Sequence, residues 1–142
     1  MGRPEKAAGG SSRVRGTLQA IEMIKKYDFN AAIGINNVGN AFTPHGNCDP
    51  MSLTSLGMGI YHAGTKADAE ILLECVSTRA RAAIGLDIMR NLGMEMGSPA
   101  SFVIFGTNGP QNFRARKSIQ ELVYDAGVER TTIFEGKEVI SS

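Results

Sequence analysis

One segment of this chain reads as a fully buried strand, and a parallel sheet cannot be closed from one strand. Residues 29–35, Phe-Asn-Ala-Ala-Ile-Gly-Ile, are short, mostly apolar and without helical period. Such runs belong to parallel sheets that are covered on both faces. A helix is expected before it, over residues 18–27. Thr17 is its cap, Leu18, Ile21 and Ile24 follow at helical spacing, and Glu22–Lys26 makes an i,i+4 pair. A loop rich in Asn, Gly and Pro follows over residues 36–47. In α/β folds the reactive groups sit just past the carboxyl ends of strands. Here that place is Ile35-Asn36-Asn37-Val38.

Beyond the loop the periodicity turns helical. Asp49 is placed to cap a helix with Pro50 at its first position. Leu53, Leu56, Ile60 and Ala63 predict its buried stripe, and Gly64 its end. Thr65-Lys66-Ala67-Asp68 is a capping-box variant that opens a second helix, with Ala67, Ile71, Leu72 and Cys75 as its apolar positions. Ser77 caps a third, short helix through Ile84, closed by Gly85. After Gly97-Ser98-Pro99 the pattern changes. Residues 102–105 predict a strand and 106–110 a turn. Ile119, Leu122, Val123 and Ala126 mark a helix face ending at Gly127. Residues 131–134 and 138–140, joined by 135–137, predict a hairpin. The division expected is a flexible segment over 1–16, a partial α/β segment over 17–97 and a β segment over 98–142.

Composition excludes several classes. With 15 Lys and Arg against 14 Asp and Glu, the net charge of +1 sets up no field to steer nucleic acid or anionic lipid. No run approaches the ~18 apolar residues of a membrane span. The charged, Gly-rich start has no apolar core for a secretory signal, and Lys6 stands where myristoylation needs Ser or Thr. Two cysteines, Cys48 and Cys75, make no disulfide framework and read as reduced thiols of a cytoplasmic protein.

Four motifs in order resemble the cytosine deaminase branch of the amidohydrolase superfamily. That branch reads Gly-His-Asp-Asp-Val at its eighth barrel strand, then an aromatic, a Pro and a Gly. This chain has Gly34-Ile35-Asn36-Asn37-Val38, then Phe42, Pro44 and Gly46. Residues 77–85 resemble the helix after the last barrel strand. Residues 97–105 resemble the family's return to a β-sandwich, and residues 136–140 its closing hairpin. The resemblance covers residues 14–142. It implies an α/β fold comprising the C-terminal portion of a (β/α)8 barrel, its last strand and helices, plus strands of a small β-sandwich. It also implies metal-dependent hydrolysis of C–N bonds in nucleobase-like cyclic substrates, with zinc or iron as cofactor. The metal-binding, proton-shuttling Asp of the family falls on Asn36, which makes Asn36 the candidate catalytic and metal position. Asn37 and Phe42 fall on substrate-binding positions.

Two features argue that the chain alone is inactive and binds no metal by itself. A carboxamide is a neutral, weaker ligand and cannot take a proton near neutral pH, and loss of a general base costs about 10²–10⁴-fold in rate. The family's other ligands include an early His-x-His pair, whereas this chain has only His45 and His62. A whole barrel takes roughly 250 residues.

Bland readings stand beside these. Asn36 and Asn37 suit a turn after a strand. His45 suits a loop, His62 a helix end whose dipole favours a cation, Cys48 an unpartnered thiol, and Cys75 a core position. Arg114, Arg116 and Lys117 suit a solvated face. Residues 34–39 fit neither a dinucleotide nor a P-loop fingerprint. The competing function is a non-catalytic fragment whose open barrel edge is covered by a partner chain or by a homo-oligomer.

Overall fold

The computed structural model describes residues 18–86, 93–106, 116–125 and 130–139. Thr17, Arg114, Ala126, Gly127, Ile140 and the segment 1–16 lie outside them. Among the described residues the chain is a mixed α/β protein of five helices and one antiparallel sheet of three strands. The order is α1 (Ala20–Tyr27), α2 (Pro50–Ile60), α3 (Lys66–Cys75), α4 (Thr78–Ala83), β1 (Phe102–Phe105), α5 (Ile119–Tyr124), β2 (Arg130–Phe134) and β3 (Lys137–Val139).

Side chains cap the starts of α2, α3 and α5, whereas α1 and α4 have no side-chain cap: the expected cap of α4, Ser77, instead donates its hydroxyl to the Leu73 carbonyl. Asp49 accepts from the Met51 N–H with Pro50 at the first position of α2. Thr65 and Asp68 close a reciprocal capping box on α3. The Thr65 hydroxyl also donates to Asp68 Oδ2 at 2.6 Å. Lys25 of α1 brings its Nζ to 2.5 Å from Asp68 Oδ1, so the same buried carboxylate ties α1 to α3. Glu22 pairs with Lys25 rather than with Lys26, whose ammonium lies over the Tyr27 ring.

Ile21, Met58, Ala63, Ala69, Leu72 and Val123 make the core, with Ile33, Tyr61, Ile71, Leu73 and Ile119 packed around it. Val123, 0% exposed, brings α5 into the helical layer against α2 and α3, although in sequence α5 lies between β1 and β2. The Ser55 hydroxyl donates to the Tyr124 carbonyl across that contact.

The sheet order is β1-β2-β3. Phe102 pairs with Ile133 and Phe105 with Arg130, while Thr132 pairs with Val139. Glu135 and Gly136, both at positive φ, form the two-residue turn between β2 and β3. That twist suits a hairpin, and a glycine bears it best. No helix packs on either face of the sheet among the described residues. Two side chains link the layers instead. Arg130 of β2 grips Asp49 with both guanidinium nitrogens, one at 3.0 Å from Oδ1 and the other on Oδ2. Arg116 donates to the carbonyls of Asp125 and Gly106, so the expected solvated basic cluster is in part a structural clamp.

Two expectations are corrected. Residues 29–35 form no strand. Exposure does alternate with period two, Ala31, Ile33 and Ile35 half-buried and Ala32, Gly34 and Asn36 exposed, which is the signature of extended chain. A central parallel strand takes its ladder from neighbours on both sides, and no strand lies beside this one among the described residues. Its anchors are the Ile33 N–H, donated to the Cys75 carbonyl at 2.9 Å, and the Phe29 carbonyl, which accepts from Arg79 Nη1 at 3.1 Å.

The stripe on α2 is also reversed. Met51, Thr54, Gly57 and Met58 are buried, while Leu56 is 56% and Ile60 44% exposed, and only Ala63 of the expected set lies fully in the core. The helix carries no charged residue, so periodicity could not say which face turns inward. Gly57 decides it: a Cβ there would stand 3.1 Å from Leu72 Cδ2, so the bare backbone lets α3 approach on that side. The helix stops before Gly64. His62 takes the left-handed position at φ 51°, and the Ala63 N–H reaches back to the Met58 carbonyl.

Candidate functional site

The extended segment delivers Asn36 and Asn37 to the mouth of the long loop, which is organised by its own asparagines. Asn40 Oδ1 accepts from the Phe42 and Thr43 N–H groups, each at 2.9 Å, and its Nδ2 donates to Asn37 Oδ1. The Asn40 N–H donates to the Thr43 carbonyl. This is a side-chain-built turn of the kind asparagine favours. At the other end Asn47 Oδ1 accepts from the Asp49 N–H and the Ser52 hydroxyl. The loop therefore runs between two asparagine staples into the capped start of α2.

Of the residues singled out in the sequence, Asn37 and Phe42 are brought together through Asn40. Phe42 stands outward, 92% exposed. Asn36 is exposed and makes no hydrogen bond among the described residues, which leaves its carboxamide open to a ligand. His45 and Cys48 are exposed on the same loop. Cys75 is buried, and that burial pushes its thiol pKa up, away from reactivity.

Asn40 is the residue that sequence reasoning missed. Its signal was present: an Asn directly after Gly39, which takes φ 65°, two residues before an aromatic. A second missed signal is larger. From residue 29 to residue 65 the chain carries one charged side chain, Asp49. At the composition of the whole chain about seven would stand there. Asp49 is itself engaged by Arg130, whose guanidinium holds its carboxyl below the usual carboxylate range. The loop and α2 thus carry no other charged side chain of their own.

These residues do not fit a metal centre by themselves. Asn36 offers a neutral amide, and among the described residues no group of three or more His, Cys, Asp or Glu is placed to hold an ion. No helix among them is long and apolar enough to cross a membrane. Comparison with known proteins found no matching family model, no matching curated protein and no matching solved structure.

Proposed function

We propose that the chain is the C-terminal part of a cytosine-deaminase-like amidohydrolase in which the loop after the last barrel strand contributes substrate contacts but no general base. The reading rests on the motif order Gly34-Ile35-Asn36-Asn37-Val38, Phe42, Pro44, Gly46. The observation that carries it furthest is the low charge of residues 29–65, where Asp49 is the one charged side chain and Phe29, Phe42, Leu56 and Ile60 stand exposed. A surface of that kind is built to be covered by protein. In this reading the rest of a barrel covers the 31–38 edge. Zinc or iron, with most of its ligands, belongs to that rest, as does hydrolysis of a C–N bond in a nucleobase-like ring. Asn37 and Phe42 face the substrate in a reducing, cytoplasmic setting.

The test is a chimaera. Residues 29–142 replace the corresponding C-terminal part of an active cytosine deaminase, with either Asn36 or Asn36→Asp. The expected result is a folded protein that releases ammonia from cytosine at least about 10²-fold faster with Asp, the usual worth of a general base. A folded chimaera with no gain from Asp contradicts the reading. The second reading, a non-catalytic binding fragment, is favoured by the same bare stretch and the amide at Asn36. It predicts a folded chimaera that binds cytosine and gains nothing from Asp.

A further inference from the structure

The side-chain turn after Gly39 has a polarity as well as a shape. Backbone N–H groups only donate, so those of Phe42 and Thr43, each at 2.9 Å, must meet the oxygen of the Asn40 amide. The Asn40 NH2 therefore points the other way, toward Asn37. An NH2 also only donates, so Asn37 must turn its own Oδ1 to it. Two amides that could each flip in isolation are set in one direction by the backbone. The Asn37 NH2 is left over: Asn37 is exposed, and this NH2 has no hydrogen-bond partner among the described residues. The loop holds its shape by its own packing. Gly46, at φ 102°, lies against Val38, where an added Cβ would stand 3.2 Å from Cγ2. Phe42, held by its N–H on Asn40, offers an exposed aromatic face to a planar ring.

We infer that Asn40 is a positioning residue that sets the specificity of Asn37. It turns the Asn37 NH2 toward the ligand, so the loop takes a planar ring that presents a carbonyl oxygen or an unprotonated ring nitrogen. The inference rests on the reading above, in which Asn37 and Phe42 face the substrate, and adds which edge of the ring they take. An acceptor on the ring completes the run of hydrogen bonds that starts at the Phe42 and Thr43 backbone. A ring N–H brought to the same place sets donor against donor and leaves both unpaired. Asn36 adds no preference of its own. Its amide is exposed and unheld, so it can present either its oxygen or its NH2.

Asn40→Asp reverses the polarity and keeps the shape. One carboxylate oxygen still accepts from the Phe42 and Thr43 N–H groups, and the other is now an acceptor facing Asn37. The Asn37 NH2 then turns inward and its Oδ1 outward. The full chain and Asn40→Asp, each with and without Asn37→Ala, are titrated by proton–nitrogen NMR, whose spectra also verify folding. The probes are N,N′-dimethyluracil, with carbonyl acceptors and no N–H, and pyrrole, with a ring N–H and no acceptor. The unaltered chain should bind dimethyluracil roughly two- to tenfold tighter than pyrrole, the worth of one net hydrogen bond. In Asn40→Asp the ratio of the two dissociation constants should move toward pyrrole by on the order of tenfold. With Asn37→Ala the ratio should be the same for Asn or Asp at position 40, which an effect of the new charge alone would not give. Binding of neither probe by the unaltered chain overturns the inference. So does a ratio that Asn40→Asp leaves unchanged, or a shift that survives Asn37→Ala. The unaltered chain supplies a second reading that needs no variant: the Asn40 NH2 should exchange with solvent more slowly than the Asn37 NH2, and the reverse order overturns the inference. Neither probe needs metal or turnover. A failed chimaera with an inverted ratio removes the amidohydrolase reading and leaves the ring site, whereas a working chimaera with an unchanged ratio removes only the role of Asn40.

Discussion

Replacing Asp49 separates two jobs done by one carboxylate. It caps α2 through the Met51 N–H and joins the helical layer to the sheet through Arg130. Both side chains are mostly covered, 24% exposed for Asp49 and 16% for Arg130. Asp49→Ser keeps a good cap and removes the ion pair. A pair this far from full burial is worth about 1–2 kcal/mol, between an exposed pair and a buried one. Asp49→Ala also removes the cap and adds about 1 kcal/mol. Urea unfolding followed by circular dichroism reads both values. The pH dependence has a fixed sign. The folded-state pKa of Asp49 is lowered, chiefly by the hydrogen bond from Arg130. Its stabilisation is therefore complete above the unfolded value of about 3.9 and lost as pH falls through the lower folded value. The cost of Asp49→Ser should be full at pH 7 and should shrink below about pH 4. An Asp49→Ser chain as stable as the original at pH 7, or a cost that grows in acid, refutes the bridge.

Other substitutions test the packing. Gly59→Ala should stabilise by about 0.5–1 kcal/mol, since no atom lies within 4 Å of the new Cβ and helix propensity gains. Gly57→Ala should gain less or lose, because its Cβ meets Leu72 Cδ2 at 3.1 Å; equal effects in denaturant melts would contradict the α2–α3 contact. His62→Gly should add about 1 kcal/mol by relieving the left-handed residue that ends α2, read by the same melts. Leu72→Ala, at a position 1% exposed, should cost about 2–5 kcal/mol, and a loss under 1 kcal/mol would place Leu72 outside the core.

Local signals in the sequence translated well because their partners are near in the chain. Asp49 with Pro50 and Thr65 with Asp68 each act within four residues, and each is found where the pattern puts it. The strand over 102–105 forms where the pattern puts it, and the hairpin forms with a shorter turn than the expected 135–137, since Lys137 pairs with Phe134 and opens β3. Long-range choices were not readable. An uncharged helix gives no sign of its inner face, so the burial of α2 waited on Gly57 meeting Leu72. An apolar run such as 29–35 specifies extended chain, whereas a ladder needs neighbours that local sequence cannot supply. In the loop, Gly39-Asn40 ahead of an aromatic marked a turn, but not that Asn40 joins Asn37 to Phe42, a link that shows only in its hydrogen bonds.

The most direct measurement is metal content together with turnover on the purified full chain after incubation with zinc or iron(II) and cytosine. With an amide at Asn36 and no gathered ligand set among the described residues, under a tenth of an equivalent of metal should remain after dialysis, and no ammonia should appear above the buffer rate. One tightly held equivalent with steady ammonia release from this polypeptide alone would contradict the account.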